Sequence, residues 1–181
     1  VSFIGEYTRR YIEQNHVQPV VIVDYLQVLQ ADKDPDTGRK TNDTKQIVDQ
    51  NVVALKRMTR SLNIPVFVIS SVNRSNYLAP IDFESFKESG NIEYTADVVW
   101  GLQLSVLRED DVFNQQQKIK EKREKVREAK AENPRRIDLV CLKNRYGRDY
   151  TTNFLYYPQH DLFKPDGGTP LTRAVQKSKK L

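Results

Sequence analysis

Between Pro19 and Gln30 the chain reads PVVIVDYLQVLQ, and Val20 to Val23 are four β-branched residues in a row closed by Asp24. An apolar run without alternation has no face for solvent. It predicts a strand covered on both sides, as at the centre of a parallel sheet. A carboxylate at the C-terminal end of such a strand stands on the rim where α/β folds bind ligands. From the run alone two roles are open to Asp24. It caps the turn after the strand, or it holds Mg²⁺ on a nucleotide phosphate, directly or through water.

The flanking sequence supplies a βαβ unit. Ile4, Tyr7, Tyr11 and Ile12 share one face of a helix running to about Asn15. Residues 31–43 are polar, carry Pro35 and Gly38, and predict a mobile loop at the sheet edge. Asp43 and Gln46 have capping-box spacing for a helix whose apolar stripe is Val48, Val52, Leu55, Met58 and Leu62. Asn63 suits a left-handed C-terminal position, and Ile64-Pro65 stops the helix. Val66 to Ile69 is a second apolar strand, ending in Ser70-Ser71. A strand, helix and strand of these lengths form a right-handed crossover, which opens both strand ends on one rim and lets Asp24 and Ser70/Ser71 be neighbours.

Residues 74–96 read as irregular, with Ser85 and Glu88 in capping-box spacing and Gly90 as a break. Val98–Leu104 reads as a third strand, Arg136–Lys143 as a fourth and Tyr150–Tyr157 as a fifth, with a hairpin tip at 144–149 where Gly147 is free to take positive φ. Phe113 to Asn133 is almost all Gln, Lys, Arg and Glu. Only Ile119 and Val126 offer this stretch a core-facing stripe, and pairs such as Glu121–Lys125 support a solvated surface helix. Twelve Lys/Arg stand against five Asp/Glu from Lys118 to Arg148, so the helix also admits a second reading, as a nucleic-acid contact. Beyond Lys164 the Gly, Pro, Ser and Lys composition predicts a disordered tail over 165–181.

Composition bounds the function classes. The net charge of +5 favours an anionic partner without naming it. A single cysteine, Cys141, excludes an internal disulfide framework and fits a reducing, cytoplasmic compartment. Two histidines, His16 and His160, with no Cys/His cluster, argue against structural zinc. No apolar run approaches a membrane span, and no signal peptide is visible. The chain begins at Val1 and enters a helical pattern at once, so it reads as a piece of something longer.

Four segments, VVIVDYLQVL at 20–29, ISSVNR at 69–74, FKESGNIEYTADVV at 86–99 and LKNRYG at 142–147, stand in an order and spacing that resemble the C-terminal ATPase domain of the DnaB-type replicative helicases. The resemblance covers most of the chain but not the charged stretch at 113–133, which looks like an insertion, nor the tail. It implies a RecA-like P-loop NTPase core, α/β, with three or more mostly parallel strands flanked by helices and an antiparallel hairpin at the edge. It implies ATP and Mg²⁺ as cofactors. The implied partners are single-stranded DNA, further copies in a hexameric ring, and a primase or helicase loader.

The same resemblance carries roles to particular positions. Asp24 matches the Walker B aspartate, a Mg²⁺ ligand through water. Asn73 and Arg74 match an Asn-Arg pair near the nucleotide, and Ser71 stands where the family has a phosphate-sensing glutamine, without the amide that sensing uses. Lys87, Glu88 and Gly90 match a loop that grips single-stranded DNA; read as bare sequence, the same residues are an ordinary helix start. Lys143 and Arg145 match a pair that reaches the neighbouring subunit's γ-phosphate, against the alternative of a solvated basic tip. No G-x-x-x-x-G-K-[ST] occurs in the 181 residues. The chain is therefore expected to hydrolyse no ATP by itself. Two rival readings stand beside the helicase: another ATPase of the RecA superfamily, and a non-catalytic helicase-derived module that docks on DNA or a partner.

Overall fold

A computed structural model of the protein describes residues 1–33, 38, 41–74, 77–86, 90–108, 119–167 and 171–172. The chain divides into two compact units. The first holds Val1–Asn73 and Glu84–Ala96, and the second Arg74–Phe83 and the chain from Asp97 onward.

In the first unit, helix α1 (Ser2–Asn15) precedes strand β1 (Val21–Val23), helix α2 (Thr44–Leu62), strand β2 (Val66–Val68) and the short helix α3 (Asn91–Thr95). β1 and β2 are parallel, with Val21, Ile22 and Val23 opposite Val66, Phe67 and Val68, so α2 is the crossover expected from sequence. Asp43 caps α2 by accepting from the backbone N–H groups of Lys45 (2.8 Å) and Gln46 (3.3 Å). The reciprocal half of the capping box is absent: the Gln46 amide oxygen instead accepts from the Thr41 hydroxyl at 2.9 Å. At the other end Asn63 takes the left-handed conformation, φ 52°, as its position required. Val48, Leu55 and Met58 are buried, together with Val23, Leu26, Ile64 and Ile92.

Two expectations for this unit change. The buried position of α1 is Thr8, with Ile4 and Ile12 half-buried one turn either side, whereas Tyr7 and Tyr11 are exposed. Thr8 tolerates burial because its hydroxyl donates to the Ile4 carbonyl at 2.7 Å. Nor is β1 covered on both sides. Val23 is buried, but Val20 and Ile22 are exposed, as are Phe67 and Ile69 on the partner segment. Among the described residues this sheet has two strands, and the paired Ile22 and Phe67 leave one face of it exposed.

The second unit carries β3 (Val98–Leu104), α4 (Ile119–Ala131), β4 (Arg135–Asn144), β5 (Tyr150–Tyr157), β6 (Leu162–Pro165) and β7 (Leu171–Thr172). They form a separate antiparallel sheet in the order β3-β4-β5-β6, with β7 also on β5. The mostly parallel sheet is thereby corrected: among the described residues only β1 and β2 are parallel, and the predicted edge hairpin β4–β5 lies inside the antiparallel sheet. Burial along β3 alternates, with Val99, Gly101 and Gln103 inward and Trp100 and Leu102 exposed. Gly101 is inward because Ile81 lies over it; a Cβ there would stand 2.6 Å from Ile81 Cδ1. Gln103 accepts the Ile81 backbone N–H at 2.7 Å, which fixes that segment on the sheet.

The charged stretch is helical as expected over 119–131, and none of its residues is buried. Residues 113–118 lie outside the described residues. On this helix Arg127 forms an ion pair with Glu124. From the tail expected to be disordered, Leu171–Thr172 pair with Tyr150–Thr151, while 168–170 and 173–181 lie outside the described residues. No helix among the described residues is long and apolar enough to cross a membrane.

Candidate functional site

β1 and β2 stay joined past their last paired residues. The Ile69 N–H donates to the Val23 carbonyl at 2.9 Å, and the Leu26 N–H to the Ile69 carbonyl at 2.8 Å. Asp24 sits inside this clamp with its side chain exposed, at the start of a turn that buries Leu26. The next side chain, Gln27, ties the two strand ends together. Its amide donates to Ser70 Oγ at 2.9 Å, and its carbonyl oxygen accepts the Ser71 N–H at 3.2 Å. Buried Asn51 of α2 donates to the Leu29 carbonyl at 3.1 Å and fixes the far end of the turn. One rim thus carries Asp24, Gln27, Ser70 and Ser71.

Beyond it, the Asn73 N–H donates to the Ser85 carbonyl at 2.7 Å, and Val72 and Phe86 form an isolated antiparallel bridge. This pairing sets the direction of the chain on both sides: Asn73 is half-buried and Arg74 exposed. Lys87 and Glu88 lie outside the described residues, and with them the expected Ser85–Glu88 capping box and the DNA-gripping loop at 87–88. Gly90 is described: it is exposed, precedes α3, and has open space where a Cβ would lie.

A carboxylate, an amide and two hydroxyls on one rim suit an octahedral, partly hydrated cation held chiefly by phosphate oxygens, since Mg²⁺ keeps most of its waters and takes one or two carboxylates. Among the described residues no three Asp, Glu, His or Cys side chains gather as a metal cage.

Lys143 and Arg145 belong to the second unit. The β3–β4 register shifts between Val99, opposite Lys143, and Trp100, opposite Cys141, which leaves Leu142 as the extra residue of a bulge. Such a bulge bends the strand and re-aims the residues after it. Lys143 is half-buried and Arg145 exposed. The Arg145 N–H donates to the Asp97 carbonyl at 2.9 Å, and its guanidinium Nη1 lies 3.1 Å from Asp97 Oδ1. Asn144 holds the tip: its Oδ1 accepts from the Tyr146 N–H at 3.2 Å and its Nδ2 donates to the Arg148 carbonyl at 3.4 Å. Gly147 does not take positive φ. A Cβ there would stand 2.9 Å from Asn144 Nδ2, so any other residue would have to displace the amide that holds the tip.

The profile of the DnaB-like helicase C-terminal domain matches residues 2–165. The chain belongs to the DnaB-like helicase C-terminal domain family. Among curated relatives of this DnaB-like chain, the replicative DNA helicase DnaB of Geobacillus stearothermophilus is 26% identical over 158 residues, covering 85% of this chain and 29% of the relative. The replicative DNA helicase DnaC of Bacillus subtilis is 25% identical over the same shares. The chain therefore spans under a third of the length of these relatives. In fold it is similar to a DnaB-like replicative helicase solved with attention to its interactions with primase (TM-score 0.64, 22% identity, 90% of this chain and 34% of that one). A second solved structure, an isolated ATPase domain, is similar to the same degree (TM-score 0.65, 21% identity, 91% and 50%).

Three residues that organise the DnaB-like rim and tip had no role in the sequence reading. Gln27 and Asp97 stand inside the segments VVIVDYLQVL and FKESGNIEYTADVV, but the partners of their side chains lie elsewhere in the sequence. Asn144 was legible as an Asn three residues before a glycine, a spacing suited to a side-chain-closed turn.

Proposed function

We propose that this chain is part of a replicative DNA helicase motor that couples ATP hydrolysis at subunit interfaces to translocation on single-stranded DNA and duplex unwinding. The observation that carries this reading is the rim of the first unit: a strand-end carboxylate, Asp24, beside Gln27 and Ser71, in a chain that belongs to the DnaB-like family. The core is RecA-like, the working assembly a hexameric ring, the compartment the cytoplasm, and a primase or loader the further partner.

Asp24 would hold Mg²⁺ through water, and the metal, when bound, would neutralise phosphate charge on the nucleotide. Gln27 takes up the task of keeping the two strand ends in register, and Ser71, lacking an amide, leaves phosphate sensing to other groups. Asn73 and Arg74 border the nucleotide. Lys87, Glu88 and Gly90 grip the DNA backbone, where contacts position and do not read sequence. Lys143 and Arg145 act on the neighbour's γ-phosphate, the position of a trans arginine finger, which is worth ~10³–10⁵ in rate in other phosphoryl-transfer enzymes.

Mixed rings of the full protein test the trans assignment. An Arg145→Ala subunit keeps Asp24, and an Asp24→Asn subunit keeps Arg145. A junction with both residues intact forms in one of the two orders around the ring. Doping one mutant into the other should restore hydrolysis that neither pure ring has. If both residues served one subunit's own pocket, nothing would be regained. Absence of complementation in rings verified as mixed would overturn the trans role.

A further inference from the structure

We propose that Asp97 is a positioning residue for Arg145, one that aims the guanidinium before the neighbouring subunit's nucleotide arrives. This rests on the trans reading of Arg145 above and assigns a role to a residue that reading leaves out.

The geometry is a two-point attachment. Val98 opposite Asn144 is the last register pair of β3 and β4 on this side. Asp97 and Arg145 form the next rung: backbone N–H to carbonyl at 2.9 Å, and guanidinium Nη1 to carboxylate Oδ1 at 3.1 Å, an ion pair whose geometry falls short of a hydrogen bond. The backbone bond closes the sheet end by itself. The carboxylate adds something a sheet end does not need, an electrostatic bias on the direction of one arginine side chain.

That direction matters because of where Arg145 sits. It comes after the Leu142 bulge and precedes a tip whose Tyr146 is 80% exposed. An unrestrained arginine samples many rotamers, and each productive encounter would have to freeze them. The pair is neither dry nor fully wet, with side-chain exposures of 42% for Arg145 and 27% for Asp97. This is shielded enough to hold a preferred orientation and open enough for the guanidinium to meet an incoming anion. The ion pair engages Nη1, and a guanidinium carries five N–H donors, so one carboxylate neighbour biases the side chain without consuming the group. Preorganised charge of this kind needs no reorganisation at the moment of reaction.

The test uses rings of the full protein and measures ATPase kcat, the KM for ATP and thermal stability. Asp97→Ala should lower kcat about ten- to thirtyfold, the size set by freezing a long side chain at each turnover. The KM should stay within about twofold, since the pocket that grips ATP belongs to the neighbour. Asp97→Glu should regain most of the loss, and a purely structural role would predict no such rescue at equal stability. In an Arg145→Ala background, read by single-turnover hydrolysis, Asp97→Ala should add less than about twofold. Should Asp97→Ala fail to assemble, the near-isosteric Asp97→Asn carries the same expectation.

The outcomes separate. If Arg145→Ala leaves kcat unchanged, the trans reading falls and the positioning role with it. If Arg145→Ala abolishes turnover while Asp97→Ala and Asp97→Asn leave it intact, only the positioning role falls. It also falls if Asp97→Ala costs as much without Arg145 as with it.

Discussion

Replacing Arg108 by methionine should destabilise the second unit far more than its partly exposed position suggests. The reason is Asp138, a carboxylate with no solvent exposure in the middle of β4. Its Oδ1 accepts from Ser105 Oγ at 2.6 Å, and its Oδ2 lies 3.2 Å from Arg108 Nε. The second contact is an ion pair whose geometry falls short of a hydrogen bond, because Asp138 Oδ2 and Arg108 Nη1 are both buried without a hydrogen-bond partner among the described residues. Breaking a buried pair from one side costs ~3–5 kcal/mol, since the remaining charge stays uncompensated. Arg108 is 37% exposed, so solvent already screens part of the attraction, and the lower end, about 3 kcal/mol, applies. Asp138→Asn should cost only about 1–1.5 kcal/mol: it leaves behind a guanidinium that reaches water and keeps an acceptor for Ser105. The double replacement Arg108→Met with Asp138→Leu should return to within about 1 kcal/mol of the parent.

Urea unfolding followed by the fluorescence of Trp100, the single tryptophan, which lies in β3, reads the second unit directly. A loss of about 3 kcal/mol corresponds to a fall in Tm of about 6–12 °C for a chain of this size. Two results would refute the reasoning: an Arg108→Met cost below about 1 kcal/mol, or strict additivity of the two replacements.

Two further outcomes are expected in the first unit. Lys87→Ala in the full motor should weaken single-stranded DNA binding and reduce the salt slope by about one phosphate contact while DNA-free ATPase holds; an unchanged slope would move the DNA site elsewhere. Asp32 accepts from the Ser2 backbone N–H at 3.0 Å and the Ser2 hydroxyl at 2.8 Å, and so caps α1 from a distance. Burial pushes its carboxyl up, while the bonds from the Ser2 hydroxyl and backbone N–H pull it down, and it stands below the usual value. A lowered carboxyl contributes stability above its unfolded value, about 3.9, that is lost as pH falls through the folded one. Asp32→Asn should therefore cost about 0.5–1 kcal/mol near neutral pH, and the gap from the parent should shrink steadily below about pH 4; a gap that persists in acid would contradict this.

Sequence periodicity sufficed wherever the chain chose one face for local reasons. Helix α2, with Asp43 and Asn63 at its ends, and β5, over Tyr150–Tyr157, match the expected spans. The partner of β3 was not legible, because its inward face carries Gly101 and Gln103 while Trp100 and Leu102 face out. Hydropathy there runs against burial, and only the segment holding Ile81 accounts for it. Helix α3 is five residues long, too short to show a period. For the site, the strand-helix-strand order was enough to bring Asp24 and Ser70/Ser71 to one rim. The roles of Gln27 and Asp97 depend on cross-chain distances, which no local pattern encodes.

The contact between Gly101 and Ile81 constrains the order in which this protein can change. Three atoms of Ile81 lie within 2.9 Å of where a Cβ at 101 would go, and Gln103 prevents the backbone of Ile81 from lifting away. An alanine arriving at 101 first meets an occupied volume, from which the Ile81 side chain must be displaced. Arriving after Ile81 has been trimmed to a smaller residue, it fills the space that was vacated. The two positions therefore form one unit of variation with a single open route, and a lineage that carries a side chain at 101 should carry a smaller residue at 81.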